Sequence, residues 1–576
     1  MNDVIERSSP WRRVAMLMGA VALAFVAGSP LALAQAVDGD VSPDDPPPPV
    51  TYHGLVPGLS TADDVLRELG EPAHAGKWYA YKRLYPARDG LFDSIHTRGH
   101  DGKYASAELV TVIDGYDNEA TIVDSLGPPE FVLRTPTFSM LDYAEQGARF
   151  IVDRDGRTIG TALFPHMRRR VHEGARQLVD LTHLREGPQP APERPASVAG
   201  LSCGTDQRKL SPQPDWVDPR YAGRFTPHDD IWARTAVFEH GGETIALVGA
   251  DLFGMSYSEV LPIKQQLADA GVEHFVLAMS HNHAAPDTIG VYGYFPERHI
   301  EFIQQQVVDS VLAAREAAVP VASLRGASRA LPMDGARVIG YFRNARNTGL
   351  IDPTISLLQA VGEDGRVITT LVNFACHVEG IEMGVREMTA DFPGYMCDQI
   401  ARDGGGQAVF LNGAVGGMVS GDNRERNHEE AEVTGLGLAE IVAELAKTAQ
   451  PPATFEFSAR TRRIEIPVTN PRFKGLMGPD ARRPTSRGRV VTEMSLITLG
   501  ECQMLTLPGE LLPEVSFEIL ERMTGFPRML IGLANDELGY IIPPDDFRDD
   551  EYEETMSVGP AAAPVVKDTA LRLLGE

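Results

Sequence analysis

Cysteine is scarce: Cys203, Cys376, Cys397 and Cys502 are the only four in 576 residues, and no two lie close in sequence. A disulfide framework is therefore excluded as the main source of stability, although four cysteines still permit three full pairings that sequence does not choose between. Cys376 stands inside an apolar, strand-like run and reads as a small buried hydrophobe. Positive charge is also short, with 53 Lys and Arg against 80 Asp and Glu and a formal net charge of -27. Nucleic-acid surfaces rest on clustered Lys and Arg, so this balance argues against a nucleic-acid partner. Long apolar runs are missing too. The segment 14–28 falls short of the ~20 residues that span a bilayer, and no later stretch qualifies.

What is present begins with a leader. Trp11-Arg12-Arg13, the apolar segment and the small-x-small site Ala32-Leu33-Ala34 have the order of a secretory signal peptide, predicted over 1–34. The arginine pair admits the twin-arginine route beside general secretion, and either makes the mature chain periplasmic or secreted. No cysteine follows the cleavage site, which argues against a lipid anchor and leaves only peripheral membrane contact.

Hydrophobic content of 43% is ample for packed cores, and the length predicts more than one unit. Prolines mark the borders. Residues 35–52 form a Pro-rich linker containing the stiff run Asp44-Asp45-Pro46-Pro47-Pro48-Pro49, and 186–195 form a second. Between them, 53–185 are predicted as a small α+β module of two repeats. Val65, Leu69, Gly70 and Pro72 recur as Ile122, Leu126, Gly127 and Pro129, each time a short helix ending in Gly and Pro, with extended residues after it. The copies resemble the helix-plus-sheet modules of bacterial envelope proteins of the outer-membrane assembly lipoprotein type, and a purely structural role is the default.

From 196 to 576, strands alternate with helices, which predicts an α/β domain of mixed α+β layers. The runs 245–250, 274–279, 367–374, 408–411 and 529–533 read as buried strands. Glu301 to Ala318 and Glu429 to Lys447 carry apolar residues at three- and four-residue spacing and read as helices. Sites in such domains favour the carboxyl ends of strands.

Several chemistry-bearing residues fall at those ends. Ser280-His281-Asn282-His283 directly follows the run 274–279, and the alternation of extended backbone turns His281 and His283 to one side. His377 follows Asn373-Phe374-Ala375-Cys376, Glu510 follows Leu507-Pro508-Gly509, and Asp251 follows Ala250. Imidazole with carboxylate is the donor set of a catalytic zinc, which keeps a position open for water.

Four of these motifs carry a resemblance. Ser280-His281-Asn282-His283-Ala284-Ala285-Pro286, Phe374-Ala375-Cys376-His377, Leu507-Pro508-Gly509-Glu510 and Glu551-Tyr552-Glu553 resemble, in that order, the metal-site motifs of the neutral/alkaline ceramidase family, over about 196–576. The resemblance implies a Zn²⁺ amidase that cuts N-acyl sphingoid bases, with His281, His377, Glu510 and Tyr552 as ligands. It places His283 beside the metal water as an acid/base or oxyanion-stabilising group. Read on its own, the acidic run 549–554 is a solvated face.

The sequence also departs from that family. Where ceramidases carry a Gly-Asp-Val-Ser-Pro motif with an essential serine, this chain has Asn412-Gly413-Ala414-Val415-Gly416-Gly417-Met418-Val419-Ser420, with Val419 at the serine position. Ser420 is one residue late, and a one-residue slip on extended backbone faces the opposite side. The glycines offer backbone N–H groups as oxyanion donors instead. Ala284-Ala285-Pro286-Asp287 replaces Ser-Gly-Pro-Gly, and the matched region stops before the immunoglobulin-like tail of many ceramidases. These departures leave the substrate open between a ceramide-like lipid amide and another acyl amide or ester.

Other readings fit less well. An amidohydrolase barrel also opens with His-x-His but needs further strand-end histidines that are not placed here, and a metallo-β-lactamase needs Asp-His soon after the pair. An envelope binding or scaffold protein with lost chemistry is the alternative from another class, favoured by the missing serine and opposed by the retained ligands.

Overall fold

The computed structural model describes residues 47–576 apart from 78–79, 88–91, 99–103, 166–176, 185–186, 188, 214–215, 217–225, 291–296, 335–336, 339–341, 382–386, 418, 422–425, 472, 474–486, 549–551 and 576. The predicted leader 1–34 and positions 35–46 of the first linker lie outside the described residues. None of the described helices is long and apolar enough to cross a membrane.

Two short helices, Ala62–Leu69 and Glu119–Leu126, start the N-terminal part in the same way. The side chains of Thr61 and Asn118 accept from the backbone N–H three residues on, and Asp64 and Thr121 return the bond to the cap's own N–H. Gly70 and Gly127 then close the helices at φ 77° and 78°, where a Cβ costs roughly 1–2 kcal/mol. Four strands follow each helix: His74–Lys77, Ala80–Pro86, Phe92–Arg98 and Tyr104–Leu109, then Phe131–Arg134, Phe138–Tyr143, Ala148–Asp153 and Thr158–Leu163. In each set one tyrosine reaches back to its closing glycine, Tyr85 to Gly70 O at 3.2 Å and Tyr143 to Gly127 O at 2.8 Å.

Tyr104–Leu109 pairs antiparallel with Thr158–Leu163, and Gln177–Asp180 completes a nine-stranded sheet. One face packs under the helices around Val65, Ile95, Ile122 and Phe150. The other face shares a core with the rest of the chain, where Phe131, Leu133, Phe138 and Ile151 meet Leu505, Leu511, Phe517 and Val566. Fully buried Arg149 pairs with Asp142 and donates to Thr348 O across the same junction. The Pro-rich stretches therefore border a unit that is joined to its neighbour through common apolar packing.

Another sheet has eight strands in the order His274–Met279, Glu243–Ala250, Trp232–His240, Ser202–Lys209, Val319–Ala330, Thr354–Gly362, Val367–Phe374 and Gln407–Asn412. The first pair and the last pair are parallel and the rest antiparallel. The two ends of this order approach each other. Gly249 makes that possible, because a Cβ there would stand 2.5 Å from Phe410 O. Leu247, Val276, Leu371, Val409 and Leu411 fill the space between the ends, against Ile497, Met504 and Ile531 of a second, four-stranded sheet. Each such buried side chain contributes roughly 1.5–3 kcal/mol.

Helices cover the outside, as the alternation predicts. Tyr257–Asp269 and Glu297–Glu316 pack Val260, Ile263, Ile303 and Val307 on one side, while Asp391–Arg402 and His428–Ala446 pack Phe392, Met396, Leu438 and Val442 on the other. The run 529–533 is strand only to Ile531, because Leu533 turns to φ 47°. All four cysteines are buried free thiols.

The acidic run near the C-terminus differs from its expected solvated state. Asp549, Asp550 and Glu551 lie outside the described residues, but Glu553 and Glu554 are 5% and 1% exposed. Arg346 accounts for this: its side chain is 2% exposed, and it pairs with Asp546 at 3.1 Å, with Glu554 at 2.6 Å and with Glu553. Removing one partner of a buried charge network leaves the others uncompensated. Arg346→Met should therefore lower unfolding free energy by about 3–5 kcal/mol in urea titration, and speed proteolysis within 543–557. A loss below about 1 kcal/mol would show that the carboxylates find water instead.

Candidate metal centre

The two histidine motifs extend strands near opposite ends of the eight-stranded order, and one buried side chain brings them together. Asn412, 0% exposed, donates to Ser280 O at 2.7 Å and to Cys376 O at 2.9 Å. It accepts from Cys376 N at 3.1 Å and Gly413 N at 2.9 Å. The residues immediately before His281 and His377 are thus fixed to the same amide. Past that point Asn282 and Val378 form a parallel bridge, and His283 N donates to Val378 O at 2.9 Å. His281, His283 and His377 converge beside this bridge, and Glu379 lies close enough to His283 and His377 to interact with both electrostatically. His281 itself takes φ 62°, a strained conformation for a residue with a Cβ and one that clusters at functional sites.

The three imidazoles form the one cluster of at least three His, Cys, Asp or Glu side chains with mutually close ligand atoms among the described residues. Ring centroids are 4.7 Å apart for His281–His283, 4.7 Å for His281–His377 and 5.7 Å for His283–His377. Glu510 reaches the same place from another sheet, with Oε2 at 3.6 Å from His281 Nε2 and 2.9 Å from His377 Nε2. It is set by pairing of Glu510 with Tyr540, and by Gly416, where a Cβ would stand 2.6 Å from Glu510 O.

The outer ring nitrogens define the chemistry of the inner ones. His281 Nδ1 lies 2.9 Å from Phe253 O and His377 Nδ1 lies 3.2 Å from Val419 O. A carbonyl only accepts, so each Nδ1 carries a proton, and in the neutral form of each ring the Nε2 lone pair faces inward. His377 Nε2 and Glu510 Oε2, both buried, are close but not aligned as a hydrogen bond. Two acceptors at 2.9 Å need a cation between them, either a proton or a metal ion. Ligand atoms of a tetrahedral zinc stand about 3.3 Å apart for ~2.0 Å bonds. The buried set His281, His377 and Glu510, oriented by backbone carbonyls, fits such an ion.

Burial and charge tune the rings differently. Burial lowers His281, with the Glu510 carboxylate opposing. Burial lowers His283 well below its ordinary value, and neighbouring His281 adds to this. Burial would also lower His377, but Glu510 outweighs it and holds that imidazole above its ordinary value.

Tyr552 stands apart from this buried group. It opens the helix Tyr552–Thr555 with 42% of its surface exposed, and its ring centroid lies 6.4 Å from that of Tyr540, the register partner of Glu510. Val419 turns its side chain into the apolar core with Phe342 and Phe374. Ser420, next along the strand Val419–Gly421, faces the other way and bridges His377 through its backbone. Gly413 N and Gly416 N donate to protein acceptors, so these two N–H groups are not oxyanion donors. Asp251 is drawn into a buried pair with Arg234 at 2.7 Å and takes no part.

Two members of the constellation escape a reading by sequence. Asn412 ends the strand Gln407–Asn412 directly before Gly413, and an Asn-Gly pair is a turn signal. Glu379, two residues past His377, has a side chain 2% exposed and bonds Arg426 Nη1 at 2.7 Å through Oε2. Burial raises its carboxyl, but Arg426 and the imidazoles outweigh this and bring it down to about 2.

No known family model matches the chain, and no curated protein sequence matches it. Solved structures do. The fold is similar to that of a neutral ceramidase from Pseudomonas aeruginosa, with TM-score 0.51 and 18% identity over 65% of this chain and 75% of that one. It is also similar to a ceramidase complexed with C2, with TM-score 0.53 and 16% identity over the same shares. At these identities the likeness establishes a ceramidase-like fold.

Asn412→Ala should weaken metal affinity by about 10- to 100-fold in competition with a chromophoric chelator, because the ligands lose their common anchor. Unchanged affinity would mean that the strands alone position the ligands. Metal must also displace the His377 proton, which is retained to higher pH than usual because its folded value is raised. Affinity should thus be full above that value and fall by about tenfold per pH unit below it; a flat profile would exclude His377 as a ligand.

Proposed function

We propose that this chain is an exported, zinc-dependent hydrolase that cleaves an amide bond, with ceramide-like N-acyl lipids as the leading substrate class. The observation that carries the reading is the inward convergence of two Nε2 lone pairs, fixed by carbonyl-bonded Nδ1–H groups, on the buried carboxylate of Glu510. The ceramidase-like fold supports it. His281, His377 and Glu510 would hold Zn²⁺. Tyr552 would join only by turning its exposed ring inward past Tyr540.

Bound there, the ion supplies a Lewis acid that polarises a carbonyl and acidifies water. His283, kept neutral by burial, takes a proton from water in the pocket and returns it to the leaving nitrogen. The buried ring of Phe253 lies 4.9 Å from that of His281 and 5.1 Å from that of His283 and covers one side of the pair. Residues 53–185 are read as two copies of a helix-and-four-strands unit, supported by the repeated tyrosine-to-glycine tie, and 196–576 as the hydrolase domain. Localisation in the periplasm or outside the cell rests on the leader sequence alone.

One observation favours a second reading, that of a ligand-binding protein without turnover: Val419 occupies the expected serine position and is buried in the core. Metal and turnover measured together separate the two. The purified protein should carry stoichiometric zinc and hydrolyse an N-acyl lipid or simple acyl amide, with loss to chelator and recovery on Zn²⁺ addition. His281→Ala and Glu510→Ala should each lose the metal. Stoichiometric metal in both variants would remove the proposed ligand set, whereas metal without turnover in the parent would favour the binding protein.

A further inference from the structure

Glu379 is the member of this polar group that the proposed chemistry has not used. Its position follows from the Asn282–Val378 bridge: His281 lies beside His377, and His283 beside Glu379. One carboxylate oxygen, Oε2, is bonded to Arg426 Nη1 at 2.7 Å. The other, Oε1, is buried and has no hydrogen-bond partner among the described residues. A buried carboxylate oxygen without a donor costs about 1–3 kcal/mol or more. Such an atom next to a reaction centre is complementary to a donor that arrives with the substrate.

Beyond the polar face the same two backbone segments continue into Ala284 and Ile381, which pack with Ala431 and Tyr395 into a small buried apolar cluster. The imidazole beside Glu379, His283, is the proposed proton carrier to the leaving group. We propose, resting on the hydrolase reading above, that Glu379 Oε1 is the subsite for the leaving nitrogen and selects amides over esters.

The chemistry balances without any further reactant. Water adds to the carbonyl carbon, the C–N bond breaks and a C–O bond forms. The nitrogen receives both protons of the water, so that R–CO–NH–R′ and H₂O become R–COO⁻ and R′–NH₃⁺. Glu379 Oε1 accepts the amide N–H before cleavage and an ammonium N–H after it. An ester places an oxygen lone pair against the same carboxylate, leaving the buried acceptor unfilled. Sites built around a buried hydrogen-bonding group discriminate strongly against a ligand that lacks its complement.

Three measurements test this. The parent should hydrolyse an N-alkyl fatty amide faster than the fatty ester of the matching alkyl alcohol, relative to their rates in hydroxide. Glu379→Gln should lower kcat/KM for the amide by about 10- to 100-fold more than for the ester and keep the metal. An unchanged amide-to-ester ratio would overturn the inference, and so would loss of metal, which would make Glu379 a support of the ligands. Independently of turnover, dodecylamine should bind the parent more tightly than dodecanol in calorimetry, with the difference lost in Glu379→Gln. Equal binding of amine and alcohol by the parent also overturns it. If the parent hydrolyses neither substrate the hydrolase reading fails, and the amine comparison still decides whether Glu379 recognises a nitrogen cation.

Discussion

The site depends on the four hydrogen bonds of the Asn412 side chain. Strands near opposite ends of an eight-stranded order have no reason of their own to end at the same place, since sheet pairing fixes only neighbours. Asn412 supplies that missing constraint by holding Ser280 and Cys376 on one rigid amide. All of the hydrogen-bonding groups of its amide oxygen and nitrogen that matter here end on backbone, so the bonds dictate where the chain runs rather than how neighbouring side chains rotate. His281 and His377 inherit their positions from this clamp.

The same device recurs. Asn373 ties its strand to Leu411 O and Leu530 O, and Asn535 accepts from Leu277 N and donates to Phe275 O, joining the four-stranded sheet to the eight-stranded one. Each amide is buried and each satisfies backbone groups that strand pairing leaves open, as buried polar groups must be satisfied. Apolar packing supplies most of the free energy of this fold, yet it tolerates sliding. These amides and the Arg346 carboxylate network specify a single register between the layers, at the cost of desolvating polar atoms.

Much of this architecture can be read from residues in order. The runs 274–279 and 367–374 are strands with the bounds that their apolar content predicts, and His281, His377 and Glu510 do meet at strand ends. Local pattern is sufficient there because a strand's burial is written in its own residues. Glu553, Glu554 and Glu379 are different. Their burial depends on Arg346 and Arg426, which lie far away in sequence, and an acidic residue looks the same whether its partner is water or a distant guanidinium. Asn412 is hidden for a related reason: Asn before Gly signals a turn, and nothing nearby shows that its side chain reaches across two strands. Phase along a strand is a further limit. One residue decides whether Val419 or Ser420 faces the core, and the core takes the valine.

His281 ties chemistry to backbone in one further way. Its φ of 62° suits glycine, whereas any residue with a Cβ is strained there by roughly 1–2 kcal/mol. At this position the most stable fold and the working site call for different residues. A chain drifting without need of the imidazole would gain stability by losing it, so the histidine behaves as a marker whose presence is informative in itself.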